Sequence, residues 1–306
     1  MMMFVSTLLA SSASSSGASS DASSSDLWSL RLIPSHPDAK CLDGSRPGYY
    51  IRPGVGNDAH NFKLHFMGGN WCRDAESCSA RSRTVLGSSN FWPASSSDLK
   101  MNDSTGIWDM GSNGLMSAVA GPLRNWTAVW IMYCDGSSFS SFRALPLEVN
   151  GSHVYMRGRL ILDAVLDDLI ERQGFSTAST VLLSGTSSGG MAVYYHSEHV
   201  RARLPPEVRV LAAPDAGFFP DAPLPAGHDA FRLAIKGLIS FFNISDDAAG
   251  VEYPGASRKC LAANAARNAM WRCLFAEYTI PSATTVPFFV PPAAFGTQFP
   301  LNRRRT

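Results

Sequence analysis

The sequence predicts an α/β fold, a mostly parallel sheet flanked by helices. Three observations lead there. Short strand-like runs alternate with longer amphipathic stretches from residue 27 to residue 290. Thr127–Tyr133 is a continuous apolar run, the composition of a strand buried on both faces. Val181-Leu182-Leu183-Ser184 leads through Gly185-Thr186-Ser187-Ser188-Gly189-Gly190 straight into a helical pattern.

The elements follow in order. Leu27–Ile33 alternates apolar and polar residues and reads as a first strand. Gly44–Gly48 is a turn, and Tyr49–Ile51 a short strand after it. Phe62–Phe66 alternates again and runs into Gly68-Gly69. Tyr155–Gln173 is the clearest helix, because Leu162, Val165, Leu166, Leu169 and Ile170 share one face and Gly174 supplies a stop. A strand at Thr180–Ser184, a helix at Ser188–Arg201, a strand at Val208–Ala213 and a helix at Ala230–Phe242 come next. Asn264–Ala276 reads as helical and Val286–Val290 as a last strand. Residues 27–290 contain no internal repeat and no linker, so one domain is expected.

Composition narrows the function. The 306 residues carry 26 Lys and Arg against 25 Asp and Glu, a net charge of +1 that gives no reason to expect nucleic acid as partner. No run of about 18 apolar residues appears, so no membrane span is expected. Residues 1–10 are apolar and are followed by a Ser-rich stretch, so residues 1–26 read as a signal-peptide-like start and a flexible linker. Six Cys and four N-x-S/T sequons, at Asn102, Asn125, Asn150 and Asn243, agree with that start. Together they predict an oxidising, secretory environment and an extracellular protein.

The passage around Ser187 has the form of a nucleophile elbow, G-x-S-x-G between a buried strand and a helix. The chemistry explains the spacing. The serine stands on a strained turn that projects its Oγ from the sheet edge, and the flanking glycines leave room for the backbone. The N–H of Ser188 lies at a helix start, where the dipole favours a developing oxyanion. An α/β-hydrolase takes further oxyanion donors from a Gly-rich loop after an early strand, and Gly68-Gly69-Asn70-Trp71-Cys72 stands at that place in chain order.

These segments resemble the pectin acetylesterase/Notum family. Cys41-Leu42-Asp43-Gly44-Ser45-Arg46-Pro47-Gly48-Tyr49-Tyr50 looks like its opening motif, and Gly68–Cys72 like its G-G-G-W-C segment. Tyr133-Cys134-Asp135-Gly136 with Ser138-Phe139 resembles Y-C-D-G-x-S-F, and Gly185–Gly190 with His196 resembles G-x-S-A-G-G…H. Asp215–Phe219 and Trp271–Phe275 match as well. The resemblance implies an α/β-hydrolase-like fold and ester hydrolysis by a Ser-His-Asp triad, with no cofactor. The family acts on acetylated pectin or, in animals, on the palmitoleoyl group of Wnt proteins. It implies Ser187 as nucleophile and the N–H groups of Gly69, Asn70 and Ser188 as the oxyanion hole. Asn70 stands in place of a family Gly and Ser188 in place of the usual Ala, neither of which alters a backbone donor. By the same resemblance Cys41 pairs with Cys134 and Cys72 with Cys78. Cys260 and Cys273 then remain to pair with each other.

The triad's other members are not legible. In the family, the acid follows the strand that Val286–Val290 resembles and the base lies further on, yet no Asp, Glu or His follows Glu277. The tail at 291–306 is divergent, so residues 27–290 read as an esterase domain with its C-terminal part missing and little activity. The alternatives are a non-catalytic acyl- or saccharide-binding protein of the same fold and a Notum-like protein deacylase. Asp215 and His228 are the substitute acid and base that the chain order Ser…Asp…His allows. His196 and His199 fall at i, i+3 on the helix after the elbow, with no further ligand at a metal-site spacing, and His196 reads as a residue packing under the sheet. No Cys/His cluster with ligand spacing points to a metal. A monomer acting on an acetylated polysaccharide or another acyl ester is the overall expectation.

Overall fold

The computed structural model describes residues 28–95, 116, 121–221, 230–245 and 253–289. Its strands are β1 (Ser29–Leu32), β2 (Gly48–Arg52), β3 (Phe62–Phe66), β4 (Thr127–Ile131), β5 (Leu147–Val149), β6 (Ser152–Val154), β7 (Thr180–Thr186) and β8 (Arg209–Asp215). Six form one sheet in the order β1-β2-β4-β3-β7-β8, and β5 and β6 form a separate hairpin. β2 is antiparallel to both its neighbours. β4, β3, β7 and β8 run parallel, so their C-terminal ends share one edge. Every residue of β3 is buried, Lys63 and His65 along with its apolar ones.

The helices are α1 (Ala75–Arg81), α2 (Gly158–Arg172), α3 (Ser188–Ala202), α4 (Ala230–Phe241) and α5 (Arg258–Ala265). α2 turns Ile161, Leu162, Val165, Leu166 and Leu169 into the core and ends before Gly174 at φ 72°. Residues 1–27, 246–252 and 290–306 lie outside the described part, and with them the signal-like start and the divergent tail. So do His228 and the sequon at Asn102.

Two expectations need correction. The helix read over Asn264–Ala276 is instead α5 followed by a 3₁₀ turn at Met270–Leu274. Asn268 stands between them at φ 51°, which no helix tolerates, and the Cys260–Cys273 bridge ties the two pieces together. The last strand candidate is a single parallel bridge, Ala212 to Phe288. Its neighbour Pro287 has no N–H to give a ladder, and Glu198 on α3 takes the N–H groups of Thr285 and Val286. The other elements fall within a few residues of their predicted places. α1 and the β5–β6 hairpin are additions that sequence periodicity did not reveal.

Among the described residues the buried apolar side chains gather in two clusters. One lies on the sheet and includes Leu64, Phe66, Val129, Val181, Leu183 and the buried face of α2. The second gathers Leu238, Phe242, Leu261 and Phe275 around α4 and α5. α3 serves both: Ala192 and Val193 face the first, Met191 and Tyr195 the second. The three disulfides join Cys41 to Cys134, Cys72 to Cys78 and Cys260 to Cys273.

Candidate active site

β7 delivers the chain to Ser187, which turns at φ 58°, ψ −123° into α3. A serine in that region costs about 1–3 kcal/mol and persists only where its surroundings hold it. Here the holding is steric and shows why glycines flank it. A Cβ on Gly189 would lie 2.0 Å from the Phe66 carbonyl oxygen, and one on Gly68 would lie 2.1 Å from that of Thr186. The oxyanion-type loop after β3 and the elbow after β7 therefore pass at backbone contact. β3 and β7 are parallel neighbours in register, Phe66 opposite Gly185, which brings the two loops to one edge.

A polar lattice fixes the loop to the elbow. Ser138 Oγ donates to the Ser188 carbonyl at 2.7 Å and accepts from Trp71 Nε1 at 2.6 Å. Tyr133 Oη donates to the Asn70 carbonyl at 2.8 Å and accepts from the Ser138 N–H at 3.1 Å. Arg81 Nη2 donates to the Gly69 carbonyl at 2.8 Å. Asn70 sits at φ 62°, a region that Asn accepts better than most residues, and its Oδ1 takes the Trp71 N–H at 2.8 Å. The Asn70 side chain is thus turned onto its own loop. Ser188 is less passive than a backbone donor: its Oγ accepts the Gly69 N–H at 2.9 Å.

Ser138 and Phe139 also stand at positive φ, 54° and 60°. Buried Asp135 organises them, taking the Ser137 and Phe139 N–H groups at 3.0 and 2.9 Å and the Ser137 hydroxyl. Burial pushes its carboxyl up to about 6, against the lowering effect of these bonds. The roles of Tyr133, Ser138 and Arg81 were not legible in sequence. Residues 133–139 carried a motif signal without a stated role, and Arg81 carried none.

Five of the described histidines have partners away from Ser187. His65 Nδ1 lies 2.9 Å from Ser184 Oγ, and its ring stacks on Trp130. His196 Nε2 lies 2.9 Å from the Ser138 carbonyl, and His199 Nε2 lies 2.6 Å from Asp163. Burial holds both His65 and His196 down to about 3, so they are neutral in ordinary buffers. His36 and His153 pair with Asp167 and Glu148. Exposed His60 precedes β3, at the sheet edge opposite the elbow. Asp215 closes β8 in register with Thr186, one residue before the serine. Among the described residues no three His, Cys, Asp or Glu side chains gather as a metal site.

The mixed sheet, its parallel half and the strand–serine–helix passage at the carboxyl edge define an α/β-hydrolase-like protein. The chain belongs to the pectinacetylesterase family, an esterase family whose pattern it matches over residues 21–299. It is 32% identical over 274 residues to pectin acetylesterase 5 of Arabidopsis thaliana, covering 88% of this chain and 58% of the relative. Pectin acetylesterase 7 of the same plant is 31% identical over 84% of this chain and 59% of its own. Palmitoleoyl-protein carboxylesterase Notum of Homo sapiens is 30% identical over 59% of this chain and 34% of its own. The chain thus spans little more than half the length of the plant relatives.

Proposed function

We propose that the protein is a carboxylic ester hydrolase of the pectin acetylesterase type, with Ser187 as nucleophile and an O-acetylated polysaccharide as substrate. The observation that carries this reading is the Ser187 backbone at φ 58°, ψ −123°, packed against Gly68. In that geometry Ser187 Oγ attacks the ester carbonyl. The N–H groups of Gly69, Asn70 and Ser188 receive the negative charge that develops on its oxygen. The collapse of the tetrahedral intermediate expels the sugar oxygen, which takes up the proton that Ser187 Oγ gives up, and leaves an acetyl-serine that water hydrolyses to acetate and free serine. Three disulfides and the sequons support a secreted glycoprotein, which glycosidase treatment checks, and the proposal of a monomer is checked by sedimentation equilibrium.

The base is the open member. Among the described residues no histidine bonds to Ser187, and a neutral serine hydroxyl without a base is a poor nucleophile. We therefore expect residues 1–306 alone to hydrolyse p-nitrophenyl acetate slowly, with the general-base share of about 10²–10⁴-fold lost. Asp215 and His228 are the alternative pair that chain order allows, and Asp215 lies beside the elbow strand. Ser187→Ala should abolish whatever turnover is measured, and unchanged turnover in that variant would refute the nucleophile assignment. If His228→Ala lowers turnover equally, the substitute base is at work. Saccharide binding without any product points instead to a binding protein of the same fold.

A further inference from the structure

We propose that the Ser188 hydroxyl acts as an internal competitor for the oxyanion hole, occupying the Gly69 N–H that an ester carbonyl needs and so restraining turnover and oxyanion binding. The inference rests on the reading of Ser187 as nucleophile. Its observation is independent of that reading: the Gly69 N–H donates to Ser188 Oγ at 2.9 Å, within the range of a full hydrogen bond. Ser188 is 4% exposed, so water does not compete freely for the same hydroxyl.

The contact is built rather than incidental. Ser188 opens α3, and its carbonyl is held from the other side by Ser138 Oγ, which Trp71 Nε1 holds in turn. Gly69 is fixed by Arg81 on its carbonyl. Both partners of the bond are therefore pinned through their own backbones, on two loops that touch at Gly68. An oxyanion hole works because its donors are empty and aimed before the charge arrives. Here one of the donors is already satisfied. A carbonyl oxygen must break that bond and swing the hydroxyl away, or do with fewer donors. A hydroxyl can also donate, and in that role it would help the anion. In the structure the hydroxyl accepts from Gly69, and in that role it holds a donor that the anion would otherwise take. Replacing Ser188 with Ala, the residue the family resemblance leads one to expect, removes the acceptor and frees the donor. A net hydrogen bond of this kind corresponds to about fivefold in an equilibrium constant.

The experiment uses the 306-residue protein labelled with ¹⁵N-glycine and phenylboronic acid as a tetrahedral oxyanion mimic. Ser188→Ala should bind the boronate about fivefold more tightly, and the Gly69 amide should exchange its hydrogen at least about fivefold faster. Ser188→Thr, which keeps the hydroxyl, should retain slow exchange. A merely structural role cannot raise affinity on truncation. Equal or weaker boronate binding in Ser188→Ala overturns the proposal, because the hydroxyl is then neutral or a donor. Ser187→Ala serves as control for the reading beneath it. If boronate affinity ignores that change, the nucleophile assignment fails and Gly69 exchange decides: faster exchange in Ser188→Ala upholds the occupied donor, and unchanged exchange overturns it.

Discussion

Asn70, Ser138, Phe139, Ser187 and Ala216 all have positive φ, and Asn70, Ser138 and Ser187 share the bonds and contacts of the elbow. Strain of this kind is kept where a structure over-determines it, as the lattice from Trp71 to Ser188 does. The buried titratable groups nearby make stability depend on pH. His65 and His196 are lowered from 6.5 to about 3, so between these values the native state holds fewer protons than the unfolded chain. Their contribution is complete above pH 6.5 and is lost as pH falls. Asp135 runs the other way, since burial raises it from 3.8 to about 6 and its penalty eases on acidification. Two histidines outweigh one carboxyl, at about 1.4 kcal/mol per pH unit for each group. Urea unfolding should therefore show a loss of about 2 kcal/mol between pH 7.5 and 5.5, falling to about 0.5 in His65→Gln. A flat profile over that range would sink the assignment of these rings as buried and neutral.

The disulfides and caps act on whole elements. Cys41–Cys134 spans 93 positions and ties the segment before β2 to the end of β4, whereas Cys72–Cys78 spans 6 and staples the oxyanion-type loop to α1. Loop-closure entropy makes the long bridge worth about 4–5 kcal/mol and the short one about 2. Denaturant midpoints of the paired Cys→Ser variants should fall in that order, and the reverse order would contradict it. α1 has a capping box, Asp74 accepting from the Ser77 N–H at 2.7 Å and Ser77 Oγ accepting from the Asp74 N–H at 3.1 Å. Asp74→Ala should cost about 1 kcal/mol, read from the same unfolding curves. α1 escaped the sequence reading because seven residues with only Cys78 and Ser79 buried show no apolar period. α2 was legible for the opposite reason, with five apolar residues on one face over two turns.

α3 joins the sheet core to the cluster around α4 and α5, and Glu198 on it bonds the backbone at Thr285 and Val286. A helix buried on both sides couples the two clusters. Calorimetry should therefore show one unfolding transition, with Val193→Ala lowering it for the entire molecule. Two resolved peaks would mean that the clusters melt separately. The same coupling places the candidate nucleophile, the first residue before α3, where both halves of the molecule bear on it.

Local sequence determined the elements whose physics is local. The apolar period of α2, the apolar run that follows Thr127 in β4 and the G-x-S-x-G passage each require only neighbours within a few residues. With chain order they determined the α/β class, the candidate nucleophile and, through family resemblance, the disulfide pairs. Other features depended on residues distant in sequence meeting in space. The touch of Gly68 on the elbow, the Trp71–Ser138–Ser188 bridge and the place of Asp215 beside Thr186 arise because parallel strands deliver separate loops to one edge. The Ser188 hydroxyl shows the difference most clearly. In sequence it is a small change beside a serine, and only packing turned it toward Gly69, 119 residues away. A hydrogen bond is set by position and direction in space, which no spacing along the chain specifies.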